Sequence, residues 1–99
     1  MIQIIVLLEV ADHISLKAYE SQAVTIMHQY GGALVAAFTP NIIESSDGKV
    51  GEIHILEFPS LAAFKNYRAD PALQALGELR NKAIVSTAVY VADKMIQYD

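Results

Sequence analysis

No cysteine occurs in this chain of 99 residues. Disulfides, cysteine-based metal sites and a thiol nucleophile are thereby excluded. Tryptophan is absent too, and proline occurs at only three positions, Pro40, Pro59 and Pro71. Each removes a backbone donor, so each reads as punctuation between elements. Positive charge is scarce, with 7 Lys and Arg against 11 Asp and Glu and a net charge of −4. Phosphate recognition needs a basic patch, which rules against nucleic acid as partner, and the same deficit speaks against anionic membranes. Long apolar runs are missing as well. The opening MIQIIVLLEV is far shorter than the roughly 20 residues that span a bilayer and lacks a basic leader and a cleavage site. A soluble, cytoplasmic protein is expected. No Gly-x-Gly-x-x-Gly, Walker or Gly-x-Ser-x-Gly pattern is present, and His13, His28 and His54 do not have metal-ligand spacing. Neither a cofactor nor a metal is expected.

What is abundant is apolar side chain, 54% of residues against a usual share of roughly 45–50%. Ninety-nine residues make one domain, here 1–99, with a modest core. Such a domain cannot hide that excess, so part of its apolar surface is expected to meet a partner.

The pattern predicts strands over Ile2–Val10, Leu34–Thr39, Val50–Phe58 and Ile84–Ala92. A first helix is capped by Asp12 or Ser15 and runs to about Tyr30. Its inner stripe is Leu16, Tyr19, Ala23, Ile26 and Tyr30, with Lys17, Glu20, Ser21, Gln22 and Gln29 facing water. Gly31-Gly32 ends it. Ser45-Ser46-Asp47-Gly48 is a turn with a strong hairpin signal. Ser60 caps a helix over Leu61–Ala69, and Asp70-Pro71 breaks it and restarts a second piece, Pro71–Lys82. The order strand–helix–strand–strand–helix–strand is the α+β, ferredoxin-like βαββαβ arrangement, a four-stranded antiparallel sheet with helices on one face.

Leu56–Ser60 (LEFPS), Tyr67–Ile84 (YRADPALQALGELRNKAI) and Tyr30-Gly31-Gly32 give the chain a family likeness. It resembles the family called domain of unknown function 1330, within the dimeric α+β-barrel superfamily. The resemblance implies a homodimer whose two sheets face each other, and it implies no established activity. The superfamily includes cofactor-free monooxygenases, muconolactone-type isomerases, haem-handling enzymes and small ligand-binding proteins. A lack of tryptophan sets this chain apart from the haem-degrading members.

Strand parity points to the same dimer independently. Ile2–Val10 and Ile84–Ala92 carry apolar residues at odd and even positions, and successive residues of a strand face opposite ways. Two helices cover one face of such a sheet, leaving a second apolar face for sheet-on-sheet packing. The tail Asp93–Asp99, with Met95 and Ile96, is expected to lie against the partner subunit.

Four residues are candidates for chemistry. His54 lies mid-strand on the face of Leu56 and Phe58, where an imidazole acts either as a general base or as a half-buried structural histidine. Tyr19 and Tyr67, with Tyr30, lie on the inner helix stripes, where their phenols line a cleft or fill the core. Arg80 either pairs a ligand carboxylate or an internal one, with Glu52, Glu57 and Asp70 in reach. The functional alternatives are an enzyme-like homodimer acting on a small aromatic or carbonyl compound, monooxygenase- or isomerase-like by analogy of fold, and a non-catalytic ligand-binding or structural homodimer. A formed pocket beside His54 with Arg80 pointing inward separates the first from a purely structural role.

Overall fold

The computed structural model describes residues 1–98; Asp99, the last residue of the tail, lies outside them. Eight elements follow in order: β1 (Ile2–Val10), α1 (His13–His28), β2 (Ala33–Phe38), β3 (Glu52–Phe58), α2 (Leu61–Arg68), α3 (Pro71–Gln74), α4 (Gly77–Ala83) and β4 (Ile84–Ala92). The strands form one antiparallel sheet in the order β2-β3-β1-β4. This is the ferredoxin-like arrangement expected from the element order. Extents of 46 × 31 × 17 Å fit two layers, one of sheet and one of helix.

Alternation along the strands decides which face the helices cover. Ile4 and Leu8 of β1 and His54, Leu56 and Phe58 of β3 are buried. They meet Leu16, Tyr19, Ala23, Ile26 and Met27 of α1 and Phe64 and Tyr67 of α2. Phe58 is fully buried and packs edge-on to Phe64, with ring centroids 5.2 Å apart. On the opposite face the register aligns Leu7 with Ile53 and Ala88, and Ile5 with Ile55 and Tyr90. Phe38 pairs with Ile53 at its edge, and Phe38 and Tyr90 are more than half exposed. That face is apolar and carries no helix.

Local chemistry sets the boundaries. Asp12 caps α1, accepting from the Ser15 N–H at 3.1 Å and from the Ser15 hydroxyl. At the other end Gly31 takes a left-handed φ of +74°, which side chains disfavour, and Gly32 N–H donates to Met27 O at 3.1 Å. Ser60 caps α2 through Ala63 N–H. The Ser45–Gly48 turn forms, with Ser45 Oγ accepting from Gly48 N–H at 3.1 Å, yet it closes no tight hairpin. Pro40 follows the last ladder pair, Phe38–Ile53, and residues 39–51 have no regular structure. β3 therefore begins at Glu52 rather than Val50.

Asp70-Pro71 breaks the second helix as expected. Asp70 Oδ1 accepts from the N–H groups of Ala72 (2.7 Å) and Leu73 (3.3 Å), and its other oxygen accepts from the Tyr30 hydroxyl. A second break, unforeseen, falls at Leu76, whose N–H turns back to Leu73 O at 3.0 Å. Leu73 and Leu76 both pack on the core, and Gly77, a poor helix former, follows the break.

The Tyr30 hydrogen bond, aided by the two N–H groups, holds the Asp70 carboxyl below its ordinary value of 3.8. A lowered folded-state pKa contributes stability that is complete above the unfolded value and is lost as pH falls through the folded one. Asp70→Asn should therefore melt below the wild type at pH 7, and the gap should close as pH drops below about 4. A gap that stays constant to pH 2 in thermal melts would contradict this account of Asp70.

Candidate functional site

Between sheet and helices lies a cavity of about 560 Å³, within the size range of small-molecule pockets. The sheet supplies its floor, including Val6, His54, Leu56 and Thr87; α1 and α2 supply Tyr19, Glu20 and Tyr67; α4 supplies Arg80 at the rim. His54, Tyr19, Tyr67 and Arg80, the four residues singled out from the sequence, thus border one space. Tyr30 is absent from its lining and is engaged with Asp70 instead.

His54 is 4% exposed and held from below. Its Nε2 lies 2.8 Å from Glu52 Oε1. Residues two apart on a strand share a face, so the Glu52-Ile53-His54 spacing itself brings carboxylate to imidazole. The other ring nitrogen, Nδ1, is 3.9 Å from Glu20 Oε1. On the far side of Glu52, Oε2 is 3.6 Å from Nδ1 of the largely exposed His13. A file of four titratable side chains, Glu20, His54, Glu52 and His13, therefore links the cavity to the surface. A shallower hollow, lined in part by Lys17, Leu34 and Ala37, adjoins His54 and Glu20 on this second side.

Glu20 does not face water as its place on α1 suggests. Burial raises its carboxyl above the ordinary value, Glu52 adds to this, and His54 and Arg80 oppose it. Such a carboxyl is a better base once ionised and is easier to protonate. Burial likewise raises both phenols, most strongly Tyr67, with Arg80 opposing in each case. Both remain hydrogen-bond donors at neutral pH.

Arg80 makes none of the internal ion pairs considered for it. Glu52 is taken by the histidines and Asp70 by its cap and Tyr30. Glu57 aligns with Gln3, on the helix-free face. The guanidinium instead donates to Thr87 Oγ1 at 3.2 Å. Among the described residues the ion pairs within 4 Å are all between histidine and glutamate, and no cluster of three or more His, Asp or Glu is arranged to hold a metal. No helix among them is long and apolar enough to cross a membrane.

The sequence model of one family, described as "Domain of unknown function (DUF1330)", matches residues 3–94. A search of curated proteins returned no match. Among solved structures, a protein of unknown function from Rhodopseudomonas palustris superposes with a TM-score of 0.79 at 19% identity, over 97% of this chain and 83% of that one. An uncharacterized NIPSNAP domain protein from Burkholderia xenovorans gives 0.67 at 16% identity, over 96% and 95%. A structure described as an antibiotic biosynthesis monooxygenase gives 0.62 at 15% identity, over 97% and 100%. At these identities the likeness is one of fold.

Proposed function

Since the chain belongs to the DUF1330 family, whose description names no activity, we propose from its own cavity that it is a small homodimeric enzyme moving protons on an aromatic or carbonyl compound. One observation carries the reading. An imidazole oriented by Glu52 shares a cavity with the raised carboxyl of Glu20, two phenols and a guanidinium.

An isomerase-like reaction uses these groups directly. The Glu20–His54 pair removes a proton from carbon next to a carbonyl. The C–H electron pair moves onto the carbonyl oxygen as an enolate, and the phenols of Tyr19 and Tyr67 donate hydrogen bonds to it. With a simple ketone, return of the proton gives exchange; where the substrate carries a β,γ double bond, the dienolate takes the proton at its γ carbon and the double bond moves into conjugation with no net oxidation. The likeness to a structure described as an antibiotic biosynthesis monooxygenase is one of fold and lends no reaction. The dimer belongs to this reading as well, supported by the apolar face that the helices leave uncovered.

The test is exchange. Purified protein in D₂O, offered a panel of small aryl ketones and keto acids, should speed loss of the α-proton NMR signal beyond buffer. His54→Gln should slow that exchange by roughly 10²-fold, with the fold intact by circular dichroism. The reading fails if no compound exchanges faster than in buffer, or if His54→Gln exchanges as fast as the wild type.

A further inference from the structure

The preceding reading leaves open what the ligand carries, and the distribution of donors around the cavity bears on that. Arg80 stands at the rim with a hydroxyl, Thr87 Oγ1, as its partner and, among the described residues, no carboxylate within ion-pairing distance. A second guanidinium, that of Arg68, also lines the cavity and stacks over the Phe64 ring, 5.7 Å from its centroid. Among the described residues it too has no carboxylate partner within 4 Å. The phenols of Tyr19 and Tyr67 are donors at neutral pH. The carboxylates that do reach this region are committed: Glu52 to His54 and His13, Glu20 toward His54. At the Arg80 side the cavity therefore offers donors and positive charge, and the carboxylate whose field reaches Arg80, that of Glu20, is turned toward His54 rather than paired with it. A half-buried guanidinium without a directly paired carboxylate is costly, and the complementary guest is an acceptor-only anion that takes the guanidinium fork. Beyond the polar end, Val6, Leu56, Phe64 and Val89 provide an apolar bed.

We propose that the ligand is a small apolar carboxylic acid, bound as its carboxylate by Arg80 with the Tyr19 and Tyr67 hydroxyls, its hydrocarbon body lying toward Leu56 and Phe64. The inference rests on the reading of this cavity as the functional site and names the substrate class. Thr87 is a positioning residue: its hydroxyl holds the guanidinium over the cavity. Arg68 widens the positive field at the mouth.

The experiment uses 2-naphthoate and its neutral isostere 2-naphthamide on the purified full chain, with affinity from calorimetry and location from the ring signals of Tyr67. The acid should bind at least tenfold more tightly than the amide and should shift the Tyr67 signals. Arg80→Gln should weaken the acid at least tenfold while leaving the amide unchanged. Arg80→Lys, which keeps charge but loses the fork, should fall between, and Thr87→Val should weaken the acid by a smaller factor with the charge intact. Equal affinity for acid and amide, an Arg80→Gln protein that binds the acid as the wild type does, or no binding of the acid would each overturn the proposal. Should Arg80→Gln fail to fold, Thr87→Val and the acid–amide comparison decide alone. Naphthoate bound through Arg80 by a protein that exchanges no α-proton retains this inference and sinks the proton-transfer reading. Exchange of ketones and keto acids alike that is indifferent to Arg80→Gln, with the acid bound no more tightly than the amide, does the reverse.

Discussion

Leu7→Glu should abolish the proposed dimer, giving monomers or aggregates where the wild type is expected to sediment as a dimer at micromolar concentration. Leu7 lies at the middle of the helix-free face, aligned with Ile53 on one side and Ala88 on the other. Around it Ile5, Ile55, Phe38 and Tyr90 extend the apolar patch. A soluble monomer seldom exposes a patch this continuous, and a two-fold axis covers it with a copy of itself. Burying on the order of 600 Å² per subunit at about 25 cal/mol per Å² gives a gross gain near 15 kcal/mol per subunit, much of it offset by association entropy. A glutamate at this place puts two unpaired carboxylates into one dry interface, each costing about 3–5 kcal/mol. At tenfold per 1.4 kcal/mol, that weakens association by a factor of about 10⁴ or more. Odd and even positions of β1 and β4 are both apolar, so the pattern alone offers Leu7 and Val89 for this role equally. The register chooses Leu7, because Val89 aligns with Val6 and lines the cavity on the other side. Val89→Glu should thus disturb the cavity more than the dimer. Sedimentation showing Leu7→Glu as a dimer, or the wild type as a monomer, would remove the sheet-on-sheet assembly.

Gly32→Ala is expected to be the most destabilising conservative change in the chain. A Cβ at that position would stand 2.4 Å from Cε1 and 2.5 Å from Cζ of Phe58, and 2.7 Å from Cγ of Met27. Neither neighbour has room to yield, since Phe58 is fully buried and Met27 is 2% exposed. Phe58 is moreover pinned by Phe64 and by Tyr67, whose ring centroid is 5.4 Å away. Overpacking a rigid site costs typically 1–3 kcal/mol, and this one should reach or pass the top of that range. Denaturant melts at one fixed protein concentration measure it, the concentration being held because the proposed association would contribute to stability. Phe58→Leu in the Gly32→Ala background should restore part of the loss by removing the ring edge that the methyl meets. A loss under about 1 kcal/mol would mean that the α1–β2 corner is looser than its packing indicates.

How much of this was legible in the residues depends on the range of the physics involved. Local effects read well. β1 and β4 have the bounds their composition suggests, and the Asp70-Pro71 break follows from a cap and a missing donor. The fold class follows from element order. The break at Leu76 did not show, because leucine and alanine carry no stop signal and the kink serves packing of Leu73 and Leu76 against distant strands. Glu20 was hidden for the same reason. A charged residue beside an apolar stripe reads as solvated, and only the approach of β3 across α1 brings His54 to it. Glu52 was more accessible, since its two-residue spacing from His54 is a strand signal. For Arg80 the residues offered either a ligand carboxylate or one of three internal partners, and the tertiary structure assigns all three internal carboxylates elsewhere.

The division of the second helical region into three pieces bears on how the cavity exchanges its contents. α1 has six buried residues, whereas α3, whose Leu73 and Gln74 form part of the cavity rim, has no fully buried one and is flanked by a break at each end. Opening free energies within a protein range from near zero to the global value according to what each segment has buried. α3 therefore stands at the shallow end of that range and α1, the wall opposite it, at the deep end. A guest that entered there would lift one turn of chain and free Leu73 from the core, with the ladders of the sheet left intact. Its residence time would then follow a local equilibrium rather than the stability of the whole fold.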